Sequence, residues 1–170
     1  MAHYAIALGS NRPHGRYGAP ATVVAAALDA LRREGVDVRA ASPVFPTAPI
    51  GPSIRAYANA AALIETALDP PALLALLKRI ERRFGRRRGQ RWGARVLDLD
   101  ILLWSGGRWR SHRPALGVPH ALLTRRRFVL DPLVTIAPQW RVPGSATVRQ
   151  LQARLTRPLP AHRSLRRSGP

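Results

Sequence analysis

Apolar residues recur along the chain with two different periods, and the switches between them predict an order of elements. Residues 3–8 (HYAIAL) form a short apolar run that ends at Gly9-Ser10-Asn11, the pattern of a buried strand entering a turn. Residues 20–34 carry Val23, Val24, Ala27, Leu28 and Leu31 at helical spacing, with Pro20 near the first helical position and Gly35 just past the end. In residues 36–42, Val36, Val38, Ala40 and Ser42 alternate with Asp37, Arg39 and Ala41. Val44-Phe45 then lead into a proline-rich stretch, 46–52, that no central strand could accommodate. Residues 57–68 (YANAAALIETAL) suit either a strand or an alanine-rich helix. A strand is the expectation, because a strong helix start follows at once.

That start is Asp69 as N-cap with Pro70 behind it, after which Leu73, Leu76, Leu77, Ile80 and Phe84 mark one helical face as far as Gly85. An arginine-rich loop, 86–95, leads into residues 96–104 (VLDLDILLW), which read as a strand. The order strand, helix, strand, strand, helix, strand predicts an α+β fold: a ferredoxin-like βαββαβ antiparallel sheet backed by two helices. Later residues extend it, with a hairpin around Gly106-Gly107, a Pro119-His120 turn into a short helix, and a last helix near 148–155. A single domain over 1–156 is expected, followed by an Arg/Pro-rich tail, 157–170, in which no apolar period survives and which should be mobile.

Composition narrows the chemistry. A chain of 170 residues with 46% hydrophobic residues can close one core without covalent staples. The absence of cysteine excludes disulfides, thiolate metal sites and a cysteine nucleophile. No basic start followed by an apolar run and a cleavage site opens the sequence, and no apolar stretch approaches about 18 residues, so a cytoplasmic, soluble protein is expected. The formal charge is +19, from 28 basic and 9 acidic residues, and Lys78 is the only lysine. Such a field attracts nucleic acid, an anionic membrane surface or a nucleoside triphosphate without choosing among them. Codon bias toward Ala, Arg, Gly and Pro would produce a similar excess, so position has to decide.

The sharpest local feature is Leu97-Asp98-Leu99-Asp100-Ile101 within an apolar strand. Residues two apart share a face, so Asp98 and Asp100 point one way while Leu97, Leu99 and Ile101 point into the core. At a separation of about 6.5–7 Å and an effective dielectric near 20, the two carboxylates repel by roughly 2 kcal/mol, which calls for positive charge over that face. Neighbouring arginines would suffice, and an isolated D-x-D does not distinguish them from a metal. Arg86, Arg87, Arg88, Arg91 and Arg95 precede the pair on a loop containing Gly85, Gly89 and Gly93. Phosphoryl-transfer sites combine hard carboxylate oxygens for magnesium with arginine donors for phosphate, which favours a nucleoside triphosphate; nucleic-acid binding or a solvated basic surface is the competing reading of the loop.

Gly9-Ser10-Asn11, Thr47-x-Pro49-x-Gly51-Pro52, Tyr57-x-Asn59-Ala60, Ile80-Glu81, Arg91-Trp92-Gly93-x-Arg95-x-Leu97-Asp98-Leu99-Asp100-Ile101, Val118-Pro119-His120 and Arg126-x-Phe128-x-Leu130-x-Pro132-Leu133 occur in order over about 3–140. Together they resemble the 6-hydroxymethyl-7,8-dihydropterin pyrophosphokinases. The resemblance implies transfer of diphosphate from ATP, the co-substrate, to the pterin hydroxymethyl group, with release of AMP, in folate biosynthesis. It implies two Mg2+ ions on Asp98 and Asp100, with Arg86 and Arg95 completing the catalytic set. Lys78, Glu81, Arg88, Trp92, His120 and Arg126 match positions used around ATP. Arg86, Arg95 and Arg126 are expected to clamp phosphate, and His120 is not expected to be an obligatory general base. Asn59 would read the pterin edge, Tyr57 and Phe128 would stack on its faces, and backbone near Thr47 and Ile50 would complete the pocket. Aromatic faces with a few fixed polar groups suit a flat, hydrogen-bonding ring.

The sequence departs from the family pattern at Ala48, where a proline is frequent, at Lys78, where glutamine is common, and at Ala121, where a tyrosine often stands. The resemblance further implies a monomer acting on small molecules, with no membrane and no specific nucleic-acid partner. The alternative from another class is a basic RNA-binding module of ferredoxin-like fold, which stacks bases on strand aromatics. The first strand offers only Tyr4, and 96–103 offers two aspartates that would repel phosphate.

Overall fold

The computed structural model describes residues 1–47, 57–85 and 96–157. The central strand β1 (Ala2–Ser10) runs antiparallel to β4 (Tyr57–Thr66) along its whole length, from Ala2 opposite Thr66 to Ser10 opposite Ala58. On its other side β1 pairs with β5 (Asp98–Trp104), Gly9 standing opposite Asp98 and Ala7 opposite Asp100. β2 (Asp37–Ala41) and the short β3 (Phe45–Thr47) pair with β4, so the sheet order is β2-β4-β1-β5 and β5 is an edge. With α1 (Pro20–Arg33) and α2 (Pro70–Arg83) as the connections, this is the ferredoxin-like βαββαβ antiparallel sheet. The extension consists of the hairpin β6 (Trp109–His112) and β7 (Ala115–Val118), α3 (Arg127–Ile136) and α4 (Val148–Thr156).

The helix boundaries follow from local chemistry. The Asp69 carboxylate accepts from Ala72 N at 2.9 Å, a cap contributing about 1 kcal/mol, and Leu73, Leu77 and Ile80 of α2 are wholly buried. Both α1 and α2 stop before a glycine in the left-handed region, Gly35 (φ 79°) and Gly85 (φ 87°), where a Cβ would be strained. α4 opens with a capping box between Thr147 and Gln150.

The sheet is covered on both faces. Tyr4, Ile6, Leu8 and Ile64 pack against α1 and α2, whereas Ala5, Ala61, Leu102 and Leu103 pack against α3 and α4. Alternation alone would send Leu102 and Leu103 to opposite faces. The register passes from Ala5–Leu103 to Ile6–Ile101, which leaves Leu102 as a bulge residue and lets both leucines join the second core.

Several expectations change in detail. The hairpin is not at Gly106-Gly107: that turn only links β5 to β6, which belong to different sheets, and the paired strands β6 and β7 reverse at Arg113-Pro114. β4 ends at Thr66, two residues early, because the Thr66 hydroxyl accepts Leu68 N at 3.2 Å and turns the chain toward Asp69. β5 begins at Asp98 rather than 96, where pairing with Gly9 starts. Phe45-Pro46-Thr47 makes a strand of its own, and Pro46 is tolerated because β3 pairs only with β4. The loop 86–95 and the tail from 158 lie outside the described residues.

Candidate active site

At the end of the sheet where β1 turns away, a cleft opens between the strands and the first turn of α3. Ala7, Gly9, Asn59, Asp98 and Asp100 form its floor, with His120, Arg126 and Phe128 on its walls. The cleft is shallow, and its space of about 430 Å³ includes open solvent. Asp98 and Asp100 share the face opposite Leu99 and Ile101, as the two-residue period requires, and both are half-buried.

The edge of β5 is held from outside the sheet. At Leu99 the N–H and C=O face away from β1, and α2 supplies both partners: Leu99 N donates to Glu81 Oε1 at 2.8 Å, and Lys78 Nζ donates to Leu99 O at 3.1 Å. Lys78 and Glu81, three apart on the helix, also pair at 2.7 Å. Glu81 is fully buried, so its charge is tolerated through these bonds. Lys78 Nζ lies 3.8 Å from Asp100 Oδ1 as well, touching the strand's edge and its acidic face together.

On the β4 side of the cleft, Asn59 Nδ2 donates to Thr47 Oγ1 at 2.6 Å, which orients the amide, and a Cβ at Gly9 would lie 3.3 Å from Asn59 Oδ1. Glycine at that position therefore leaves the amide oxygen its room. Arg126 is the N-cap residue of α3 and Phe128 stands in its first turn, with the guanidinium 5.5 Å from the ring centroid. His120 is fixed by its own backbone, since its N–H donates to Leu102 O at 3.0 Å and its Nδ1 accepts from Leu122 N at 3.2 Å. An imidazole accepting at Nδ1 carries its proton on Nε2, so His120 offers a hydrogen-bond donor.

The sequence matches the family model described as 7,8-dihydro-6-hydroxymethylpterin-pyrophosphokinase over residues 5–138. The chain belongs to this family. A 2-amino-4-hydroxy-6-hydroxymethyldihydropteridine pyrophosphokinase of Pseudomonas aeruginosa is 40% identical over 150 residues, covering 87% of this chain and 88% of the relative. The protein of the same name from Methylorubrum extorquens is 38% identical over 152 residues, 88% and 91% of the two chains. That of Bacillus subtilis is 40% identical over 136 residues, 79% and 77%.

Among the residues that the pyrophosphokinase resemblance singles out, Asn59, Asp98, Asp100, His120, Arg126 and Phe128 line one cleft. Thr47 joins them through Asn59, while Tyr57 opens β4 opposite Thr47 and is not part of the lining. Lys78 and Glu81 stand at the outer edge of β5. Ile50, Arg86, Arg88, Trp92 and Arg95 lie outside the described residues. Sequence reasoning gave no part to Ala7, Leu102 or Val129, which also line the cleft, and none to Gly9 beyond its motif. Their signal was available in the register, since Ala7 and Gly9 stand directly opposite the two aspartates.

Two hard carboxylates on one open face fit magnesium, which keeps waters and completes its shell with substrate phosphates. No group of three or more His, Cys, Asp or Glu side chains able to enclose a metal occurs among the described residues. The RNA-binding alternative finds no support. The cleft face of β1 and β5 presents Ala7, Gly9 and two carboxylates where base-stacking aromatics would be needed. No helix among the described residues is long and apolar enough to cross a membrane.

Proposed function

We propose that the chain transfers diphosphate from ATP to the hydroxymethyl group of 6-hydroxymethyl-7,8-dihydropterin, a step of folate biosynthesis. The supporting observation is that the aspartate pair of β5 and the Asn59–Phe128 wall open onto the same cleft. The hydroxymethyl oxygen attacks the β-phosphorus of ATP, the bond from that phosphorus to the oxygen bridging the α-phosphate breaks, and AMP leaves as the hydroxyl proton is lost. Two magnesium ions held by Asp98 and Asp100 would neutralise triphosphate charge and acidify the attacking hydroxyl.

The chain's own side chains orient the partners. Asn59 Oδ1, its amide locked by Thr47, accepts from N–H groups on the pterin edge, and backbone near Thr47 and Ile50 completes it. Phe128 covers one face of the ring, and the family resemblance gives the other to Tyr57, which stands at the start of β4 beyond the cleft lining. His120 donates from Nε2 to the nucleotide and Arg126 holds phosphate oxygens, with Arg86 and Arg95 assigned to phosphate and Arg88 and Trp92 to ATP by the family resemblance. Glu81 and Lys78 act from the edge of β5, keeping Asp98 and Asp100 in register. A single catalytic unit over 1–156 works as a cytoplasmic monomer, without a nucleic-acid partner.

The test is AMP release from ATP and magnesium with the pterin alcohol, comparing the native chain with Asp98→Ala and Asp100→Ala. Pterin-dependent AMP that disappears in both variants supports the reading. Unchanged AMP release in either variant, or none from well-folded native protein, refutes it.

A further inference from the structure

In a chain with 28 basic residues, the one lysine stands against the acidic strand. Among the described residues, Lys78 Nζ has three oxygen neighbours: Glu81 Oε1 at 2.7 Å, Leu99 O at 3.1 Å and Asp100 Oδ1 at 3.8 Å. A compact ammonium can point its donors at three acceptors in different directions, which the planar fork of arginine cannot copy. Its side chain is 31% exposed and that of Asp100 38%, so the pair sits at the rim of the cleft.

We infer that Lys78 is a resident counter-cation for Asp100, weakening divalent-cation binding at the Asp98–Asp100 pair in the nucleotide-free protein. The inference rests on the metal-binding role proposed for those aspartates. An ion about 2.1 Å from Asp100 Oδ1 would be at most about 6 Å from the ammonium. Even at the dielectric of water, a unit charge opposes a divalent one at that distance by about tenfold in a dissociation constant. Glutamine, common here in the family, could still bond Leu99 O without the opposing charge. This chain therefore fills its metals later, when triphosphate adds negative charge to the cleft.

The experiment is Mn2+ binding to the nucleotide-free full chain, followed by the paramagnetic resonance of free Mn2+. Lys78→Gln, Lys78→Met, Lys78→Arg and Asp100→Asn are compared after circular dichroism confirms folding. Tightening by about tenfold in the Gln and Met variants, with Lys78→Arg close to the native value, is expected. Because the lysine is unique, the folded native protein supplies a second measurement that needs no variant. Acetylation should tighten Mn2+ binding, whereas reductive methylation, which keeps the charge, should not. Equal affinities in the native chain and the neutral variants, equal shifts in the neutral and arginine variants, or no Mn2+ binding by any of them would overturn the inference. Asp100→Asn binding Mn2+ as well as the native chain would sink the metal-ligand reading itself. Loss in Asp100→Asn with no effect of Lys78 removes only the counter-cation.

Discussion

Glu81→Ala should destabilise the protein by about 2–4 kcal/mol, because the carboxylate it removes satisfies the edge of β5 from a fully buried position. Leu99 N–H loses its acceptor at 2.8 Å in a buried setting, which costs about 1–3 kcal/mol by itself. Lys78 loses a 2.7 Å partner but is 31% exposed, so water recovers much of that loss and the full cost of breaking a buried ion pair does not apply. Glu81→Gln keeps an oxygen for Leu99 N–H and should cost about half as much. The assay is urea unfolding at neutral pH, read as a fall in midpoint at constant slope, with a loss of about 5–10 °C in Tm as a companion measure. Both variants should also lose kcat at temperatures where they remain folded, since the strand they release carries Asp98 and Asp100. A Glu81→Ala protein within about 0.5 kcal/mol of the native chain would refute the idea that α2 holds this edge.

Other perturbations test other parts of the fold and cleft. Gly9→Ala places a methyl 3.3 Å from Asn59 Oδ1 and should raise KM for the pterin with a smaller change in kcat, checked by steady-state AMP release. Asp69→Ala removes the cap of α2 and should lower stability by about 1 kcal/mol in urea unfolding. The Tyr4 phenol is pushed up to about 12 by burial and by the nearby Asp69 charge. Its folded value exceeds the unfolded one, so the associated stability is present below pH 10 and is lost as pH rises toward 12, a loss that urea midpoints should show and that Tyr4→Phe should lack. Hydrogen bonds from Arg79 and Arg83 hold the Glu34 carboxyl below its ordinary 4.5. Stability from this group is present above that value and lost as pH falls through the lower folded one, so Glu34→Gln should flatten thermal midpoints in the acid range.

The sequence showed most where a strong local signal coincided with burial. Asp69-Pro70 and the leucine spacing located α2 because the same residues cap the helix and fill the core. The aspartate pair was equally legible, since a two-residue period leaves both carboxylates on one face whatever surrounds the strand. The alanine-rich β4 was harder. Its side chains are small because helices lie on both faces, α1 on one and α3 on the other, so neither period stands out. The second core was hidden for a related reason: β1 and β4 contribute the alanines Ala5 and Ala61, Leu102 and Leu103 of β5 join it together only through a bulge that alternation does not reveal, and the C-terminal helices read only as additions. The Asn59–Thr47 bond and the grip of Glu81 on Leu99 join residues 12 and 18 apart, and no local pattern encodes such contacts.

The edge strand β5 serves three purposes on three sides, and this accounts for how an acidic pair can be held ready in so basic a protein. Leu99 and Ile101 anchor it to the core beneath α1 and α2, Asp98 and Asp100 face the cleft, and its open edge at Leu99 is closed by side chains of α2. An edge left free would offer unpaired donors and acceptors to other chains and would let the strand shift register, which would turn both aspartates into the core. Closing it with Glu81 and Lys78 prevents both, and the choice of lysine adds a charge at the acidic face. Position and charge are thus tied to the same two helix residues. A charge-changing substitution at either one should alter strand stability and metal affinity together, whereas a cleft substitution such as Asn59→Ala should leave both the β5 edge and metal affinity unchanged and affect the pterin.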